Sequence, residues 1–314
     1  EHVLGMATRR ITEIGERQLQ QGLVPMKQLL ETSLDDIEKR QGSDSTITGV
    51  PTGFTELDEL TSGFQKGDLL ILAARPSVGK TALAMSIAQN AAVRGDKRVA
   101  VFSMEMSSVQ LAMRMLCSEA RIDAQKMRRG QLGDLHWNKL MKAFTRLAAA
   151  PVFIDDTSGV TVQELRAKSK RMQAERGLDL IVIDYLQLIE GAGDEENRVQ
   201  EVARISRALK AIARELEVPV IALSQLSRQI ETRGTEPMLS DLRESGSLEQ
   251  DADLVMFLWR EKERGADDQD MDGEVINLQL AKHRNGPTGR VQLWFKKRQT
   301  RFVSYAGERY AGAG

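Results

Sequence analysis

The residue types best suited to chemistry sit in "AARPSVGKTALA", residues 73–84. An apolar run, "LLIL", precedes this stretch and a helix-forming run follows, so it spans a strand end and a helix start. The spacing Ala74-x-x-x-x-Gly79-Lys80-Thr81 is that of a phosphate-binding loop, with alanine where the first glycine usually stands. In that setting Arg75, Pro76, Ser77, Val78, Gly79, Lys80, Thr81 and Ala82 form a cradle in which backbone amides meet phosphate oxygens at a helix N-terminus. Lys80 would place its charge on the β- and γ-phosphates of a nucleoside triphosphate, and the Thr81 hydroxyl would ligate Mg2+. The alternative is a loop with this spacing by chance, and the strand-to-helix setting speaks against it.

Other strand ends carry the polar groups that such a ligand needs. "LDLIVIDYLQL" closes a buried apolar strand with Asp184, a carboxylate suited to holding Mg2+ through its water shell. "VFSMEMS" supplies Glu105, the one acid at that strand end, and hydrolysis needs a group that activates water. Glu105 could instead serve as an N-terminal acid for the helix that starts near Ser107. "ALSQLSRQ" brings Gln225, whose amide could read the γ-phosphate and pass its state to the following loop. On one sheet edge these groups would share a crevice with Lys80.

That following loop, residues 227–253, is long and mixed in charge, with Arg228, Arg233 and Arg243. Arg243 and the amides around Gly246 could hold a phosphodiester backbone without reading bases. No aromatic residue lies there, so base stacking is not indicated, and a solvated loop would look the same. In "LAKHRNGPTG", residues 280–289, Lys282 and Arg284 stand one residue apart, on one face of a strand end. Their sequence neighbours name no anion for them. Taken alone they read as a solvated basic strand end, of little weight for a core.

These side chains need a frame. "LLILAA", "VAVFSM", "PVFID", "LIVID" and "PVIALSQ" read as continuously buried strands separated by helical patterns, one of which aligns Val199, Val202, Ile205, Leu209, Ile212 and Leu216. That alternation predicts an α/β core with a mainly parallel sheet. "LVMFLW", "VINLQLAK", "VQLWFKK" and "FVSYA" follow as an antiparallel extension. Met104, Met106, Met113 and Met115 read as core packing. Ahead of the core, residues 1–21 read as the end of a truncated helical domain. Residues 22–49 form a linker with an amphipathic helix over 25–40, whose stripe is Met26, Leu29, Leu30, Leu34 and Ile37. The stripe must be buried in cis or on a neighbouring chain, and both readings stand. The core itself spans 50–308, and 309–314 is a tail.

Composition sets limits on partners. The formal net charge of -1 excludes a global basic field, so any nucleic-acid surface is local or built by oligomerisation. A single cysteine, Cys117, forms neither an internal disulfide nor a zinc site, which fits a reduced, cytoplasmic setting. No apolar run approaches the ~20 residues of a membrane span. A first residue of Glu1 suggests a piece of a longer protein.

The ordered series "GVPTGFTELDELTSGFQKGDL", "AARPSVGKT", "FSMEMS", "LIVIDYLQLI", "VPVIALSQLSR", "LRESGSLEQDAD" and "AKHRNGPTG" resembles the C-terminal motor domain of DnaB-type replicative helicases, of the RecA-like superfamily. The resemblance runs from about Pro25 to about Val303, and Ala74 is at home in it. It implies a RecA-like P-loop ATPase with ATP and Mg2+ as cofactors, a homohexameric ring with ATP between neighbours, and single-stranded DNA in the channel. Lys80, Thr81, Asp184, Glu105 and Gln225 take the roles argued above, and Arg243, Glu244 and Gly246 lie at the DNA backbone. It also implies that Lys282 and Arg284 reach the next subunit's γ-phosphate, and that primase and a helicase loader are partners. A strand-exchange filament and an ATP-bound assembly scaffold are the competing readings.

Overall fold

The computed structural model describes residues 23–41, 46–189, 198–227, 230, 233, 236–242, 246–261 and 273–305. The chain divides into two compact units, Glu1–Thr46 and Ile47–Gly314. In the first, α1 (Met26–Gln41) follows Pro25, whose fixed φ suits a helix start. Its stripe residues Met26, Leu29, Leu30, Leu34 and Ile37 are all exposed, Leu29 least at 48%.

The second unit is built on one nine-stranded sheet of order β3-β2-β4-β5-β1-β6-β7-β8-β9. Its elements are α2 (Thr55–Thr61), β1 (Leu69–Ala74), α3 (Lys80–Gly95), β2 (Val99–Ser103), α4 (Ser108–Ala120), α5 (Ala124–Arg128), α6 (Asp134–Ala149) and β3 (Val152–Asp155). There follow α7 (Val162–Arg176), β4 (Leu180–Asp184), α8 (Arg198–Leu216), β5 (Val220–Gln225), α9 (Gly246–Asp251), β6 (Leu254–Trp259), β7 (Glu274–His283), β8 (Gly289–Lys296) and β9 (Arg301–Ser304). Strands β1 to β6 pair in parallel, and β6 to β9 pair antiparallel. The fold is therefore the expected α/β class, a parallel core with an antiparallel extension.

Continuous apolar strands belong in a sheet covered on both faces. Successive residues of β1 divide accordingly. Leu70 and Leu72 join a core with Leu83 and Ile87 of α3, while Leu69 and Ile71 join another with Leu209 and Ile212 of α8. Each such leucine, fully buried, stabilises the fold by roughly 2 kcal/mol in transfer terms.

Three expectations need correction. "PVFID" forms β3 but is only half-buried, because β3 is an edge strand. Of the methionines, Met115 is buried and Met104 and Met106 pack partly against the cores, but Met113 points outward at 42% exposure. Val199, in the first turn of α8, is exposed, whereas Val202 to Leu216 of its face are buried.

At the start of β6 the buried carboxylate of Asp253 ties three elements together. It accepts from the Leu69 amide at 2.9 Å, from Lys210 of α8, and from Arg284 Nη1 at 3.2 Å. Nearby Asp68 is pushed up to about 6 by burial and then by the charge of Asp253.

Candidate nucleotide site

Strand β1 delivers the chain into the phosphate loop at the sheet's C-terminal edge. Ser77 at φ 67 and Gly79 at φ 104 turn it sharply. At Gly79 the turn also meets packing, since a Cβ there would lie 3.0 Å from two ring carbons of Phe302. That ring stacks on Phe295 at 4.4 Å between centroids. No side chain caps the N-terminus of α3, so its first amides open into the cleft, where the helix dipole favours an anion. The Arg75 guanidinium donates to the Leu226 carbonyl at 2.9 Å.

A cavity of about 660 Å³ lies over this loop. Arg75, Pro76, Ser77, Gly79, Lys80, Thr81 and Ala82 line it, together with Glu105 and Gln225. Val78 packs against the core below. Gln225 reaches the cavity because β5 pairs directly with β1, setting Gln225 opposite Ala74.

Asp184 ends β4 beneath the loop and is 3% exposed. The Thr81 hydroxyl donates to its Oδ2 at 2.8 Å, and Lys80 Nζ stands 4.0 Å from Oδ1. Burial pushes the Lys80 ammonium below its ordinary range, against the pull of Asp184 and Glu105. The same burial pushes Asp184 up, against Lys80 and the Thr81 hydroxyl. Lys80 also lies 4.7 Å from the ring centre of Tyr185. Among the described residues, Asp184 Oδ1 has no hydrogen-bond partner. A buried, unsatisfied carboxylate oxygen beside a threonine hydroxyl is a donor set that fits a divalent cation.

Glu105 is exposed at the cavity rim and takes no part in capping α4. There Ser107 and Gln110 form a reciprocal capping box, and Asp156 accepts from the Ser108 amide at 2.7 Å. The helix-acid alternative for Glu105 therefore has its place already filled.

Lys282 and Arg284 lie elsewhere. Because β7 runs antiparallel to β6, its end pairs His283 with Leu254, at the edge where β1 begins. Lys282 Nζ donates to the carbonyls of Glu249 at 2.6 Å and Ala252 at 2.7 Å, with Gln250 at 3.4 Å. Arg284 Nη2 donates to the Gln250 carbonyl at 3.2 Å. Both cations thus engage the C-terminal carbonyls of α9, where the helix dipole favours positive charge. Lys282, half-buried, thereby departs from the solvated strand end, and with it from the expectation of little weight in the fold, while Arg284 bonds there but stays exposed.

A family model described as the DnaB-like helicase C terminal domain matches residues 49–304. The chain belongs to this family. Among curated DnaB-type relatives, the replicative DNA helicase DnaB of Geobacillus stearothermophilus is 53% identical over 96% of this chain and 66% of its own length. The replicative DNA helicase DnaC of Bacillus subtilis is 51% identical over 97% of this chain and 67% of its own. The chain thus spans about two thirds of these DnaB-type relatives. One solved structure, itself an isolated ATPase domain, superposes with TM-score 0.83 at 40% identity, covering 90% of this chain and 100% of that one. A second, "The Structure Of A DnaB-Like Replicative Helicase And Its Interactions With Primase", gives 0.79 at 40% identity, covering 90% and 68%. This chain is accordingly an ATP-hydrolysing domain of a replicative DNA helicase.

Sequence reasoning missed part of the DnaB-type site. Gln110 and Arg114 of α4, Tyr185, Phe295 and Thr300 line the same cavity, and Arg114 faces Asp184. Arg114 stands nine residues beyond Glu105, a helical distance at which it could share the cleft, but no motif marks it. Of the expected DNA-contacting residues, Gly246 opens α9 and is exposed. Arg243, Glu244 and Arg228 lie outside the described residues. Arg233 instead pairs with buried Asp241 at 2.5 Å.

Proposed function

We propose that this chain, with residues 50–308 as its motor domain, drives a replicative helicase that encircles single-stranded DNA as a ring of six and unwinds duplex at the replication fork. One observation carries the reading. The phosphate loop and the Lys282–Arg284 pair sit at opposite edges of a single sheet, separated by the six residues of β1. At ~3.3 Å per residue that is roughly 20 Å, beyond the reach of either side chain. A chain built so cannot complete its own site. Head-to-tail association places one chain's pair against the next chain's phosphates, and a heterologous contact that closes gives a ring.

Within a site, the α3 amides and Lys80 hold the β- and γ-phosphates. Thr81 and Asp184 hold Mg2+, which when bound neutralises charge on the phosphates. Glu105 takes the proton of the attacking water. Gln225 senses the γ-phosphate, and its strand continues into a bridge between Leu226 and Leu242, adjoining the Arg243 loop. Arg243, Glu244 and Gly246 follow the DNA backbone. The exposed stripe of α1 supports docking on a neighbouring chain, in keeping with a ring rather than a strand-exchange filament. Primase, which the second solved relative's name records, and a helicase loader are the expected protein partners. The work is cytoplasmic, at the nucleoid.

Mixing tests the shared site. Lys80→Ala and Arg284→Ala chains, each inactive alone, should regain partial ATP hydrolysis when combined, because some interfaces keep both groups. No recovery despite verified subunit exchange would overturn the shared site. Closed rings rather than open filaments in negative stain test the assembly.

A further inference from the structure

A second cavity, of about 560 Å³, opens on the far side of α3 from the phosphate loop. Its walls are the ends of α3 and α4, one face of α6 and the start of β9. Arg94 comes from the last turn of α3, and Arg121 caps α4 in a left-handed conformation at φ 55. Lys139, Lys142 and Arg146 project from α6, and Arg301 opens β9. Among the described residues lining this cavity the only acid is Glu119, and it is already engaged. It accepts from Arg146 at 3.2 Å and from the Gln89 amide at 2.7 Å.

Helix dipoles account for Arg94 and Arg121, which lie at helix C-termini. They do not account for Lys139 and Lys142, which sit mid-helix, or for Arg301. Arg94, Arg121, Lys139, Lys142 and Arg301 form no ion pair with any described residue. Arg301 is partly buried, and burial, then the charges of Arg121 and Arg94, push its pKa down, while Glu119, already shared with Arg146 and Gln89, opposes them only in part. A partly buried guanidinium among like charges is unfavourable unless an anion completes the cluster. The cavity is concave, so its six lining cations surround one volume instead of tracking a strand. Among the described residues no aromatic side chain lines it, so a base finds no ring there to stack on.

We propose that this cavity is a binding site for an oligophosphate anion, separate from the catalytic nucleotide site. Compact, dense negative charge is what clustered cations recognise, and the apolar lining, Val93, Ala120 and Ala143, is small side chains that offer little to a larger apolar ligand. The same chemistry is offered by a free inorganic oligophosphate and by the phosphate chain of a nucleotide.

The experiment uses the full chain with its phosphate loop saturated by a non-hydrolysable ATP analogue and excess Mg2+. Inorganic tripolyphosphate is then titrated calorimetrically. One further site per chain is expected, with affinity falling steeply as salt rises. Lys139→Glu/Lys142→Glu and, outside α6, Arg121→Glu should each weaken it ten-fold or more, with nucleotide binding and melting temperature in phosphate-free buffer retained as folding controls. A nucleoside triphosphate titrated in the same way distinguishes the sources. Affinity equal to that of tripolyphosphate assigns the site to phosphates alone, and tighter binding assigns it to a nucleotide. No binding beyond the phosphate loop, or binding unchanged in both correctly folded variants, overturns the proposal.

Discussion

Replacing Lys282 by Met keeps the aliphatic stem and deletes the ammonium that holds the end of α9. Two short contacts are lost, to the carbonyl oxygens of Glu249 at 2.6 Å and Ala252 at 2.7 Å. Hydrogen bonds from a charged donor contribute roughly 1.5–3 kcal/mol each, and the helix-end charge adds ~0.3–1 kcal/mol. Two terms subtract. Burial and the neighbouring Arg284 push the Lys282 pKa down, so the ammonium is held at a cost. The group is also partly solvated, so water and salt screen it. A net loss of about 2 kcal/mol remains. For a unit of this size that lowers Tm by roughly 4–8 °C. The assay is thermal unfolding without nucleotide, paired with ATPase activity of assembled protein below the shifted Tm. Activity should fall as well, because the same ammonium is assigned to the neighbouring site. Lys282→Arg should regain part of the stability, since a planar guanidinium does not place its donors on two carbonyls as an ammonium does. An unchanged Tm for Lys282→Met would refute the anchoring of α9 by this side chain.

Glu105→Gln should bind nucleotide as before but hydrolyse it ~10²–10⁴-fold more slowly, measured by single-turnover phosphate release; the parental rate would remove Glu105 as the base. Gly79→Ala puts a Cβ 3.0 Å from the Phe302 ring at φ 104. It should cost roughly 1–3 kcal/mol of local strain and weaken binding of a fluorescent nucleotide about ten-fold or more, whereas unchanged affinity would contradict the cradle geometry. Asp68, raised from 3.8 to about 6, ionises at a cost to the folded state. Its favourable contribution is complete below pH 3.8 and is lost as pH rises through about 6. Asp68→Asn should therefore raise stability at about pH 7.5, by at most ~3 kcal/mol, with the advantage vanishing towards about pH 4; denaturant midpoints across that range test it.

The parallel core was legible because a strand buried on both faces must be apolar throughout. "LLILAA", "LIVID" and "LVMFLW" coincide with β1, β4 and β6 to the residue. "PVFID" has the same composition, but nothing in it tells an edge strand from a central one, so its half-exposure went unread. Met113 shows the matching limit on a helix, since apolar residues on an outward face look like core until the neighbours are known. At the site, Lys80, Thr81 and Asp184 were legible because their spacing and strand-end setting carry the chemistry. Arg114, Tyr185, Phe295 and Thr300 were not, since each reaches the cleft through the packing of α4, β8 and the turns beside them. Lys282 and Arg284 were visible as a pair. Their partners were not, because the α9 carbonyls lie some thirty residues earlier in the chain.

If the proposed shared site holds, the sheet that keeps the phosphate loop and the basic pair at opposite edges would also govern when ATP is consumed. A single chain in dilute solution would then load nucleotide but lack the second half of the machinery. Turnover per chain should therefore collapse on dilution below the assembly midpoint, even with nucleotide saturating. Newly made or dissociated chains would then hold ATP without hydrolysing it, with no inhibitor or covalent mark required. On the proposed shared site, the direction in which one strand runs would confine hydrolysis to assembled protein.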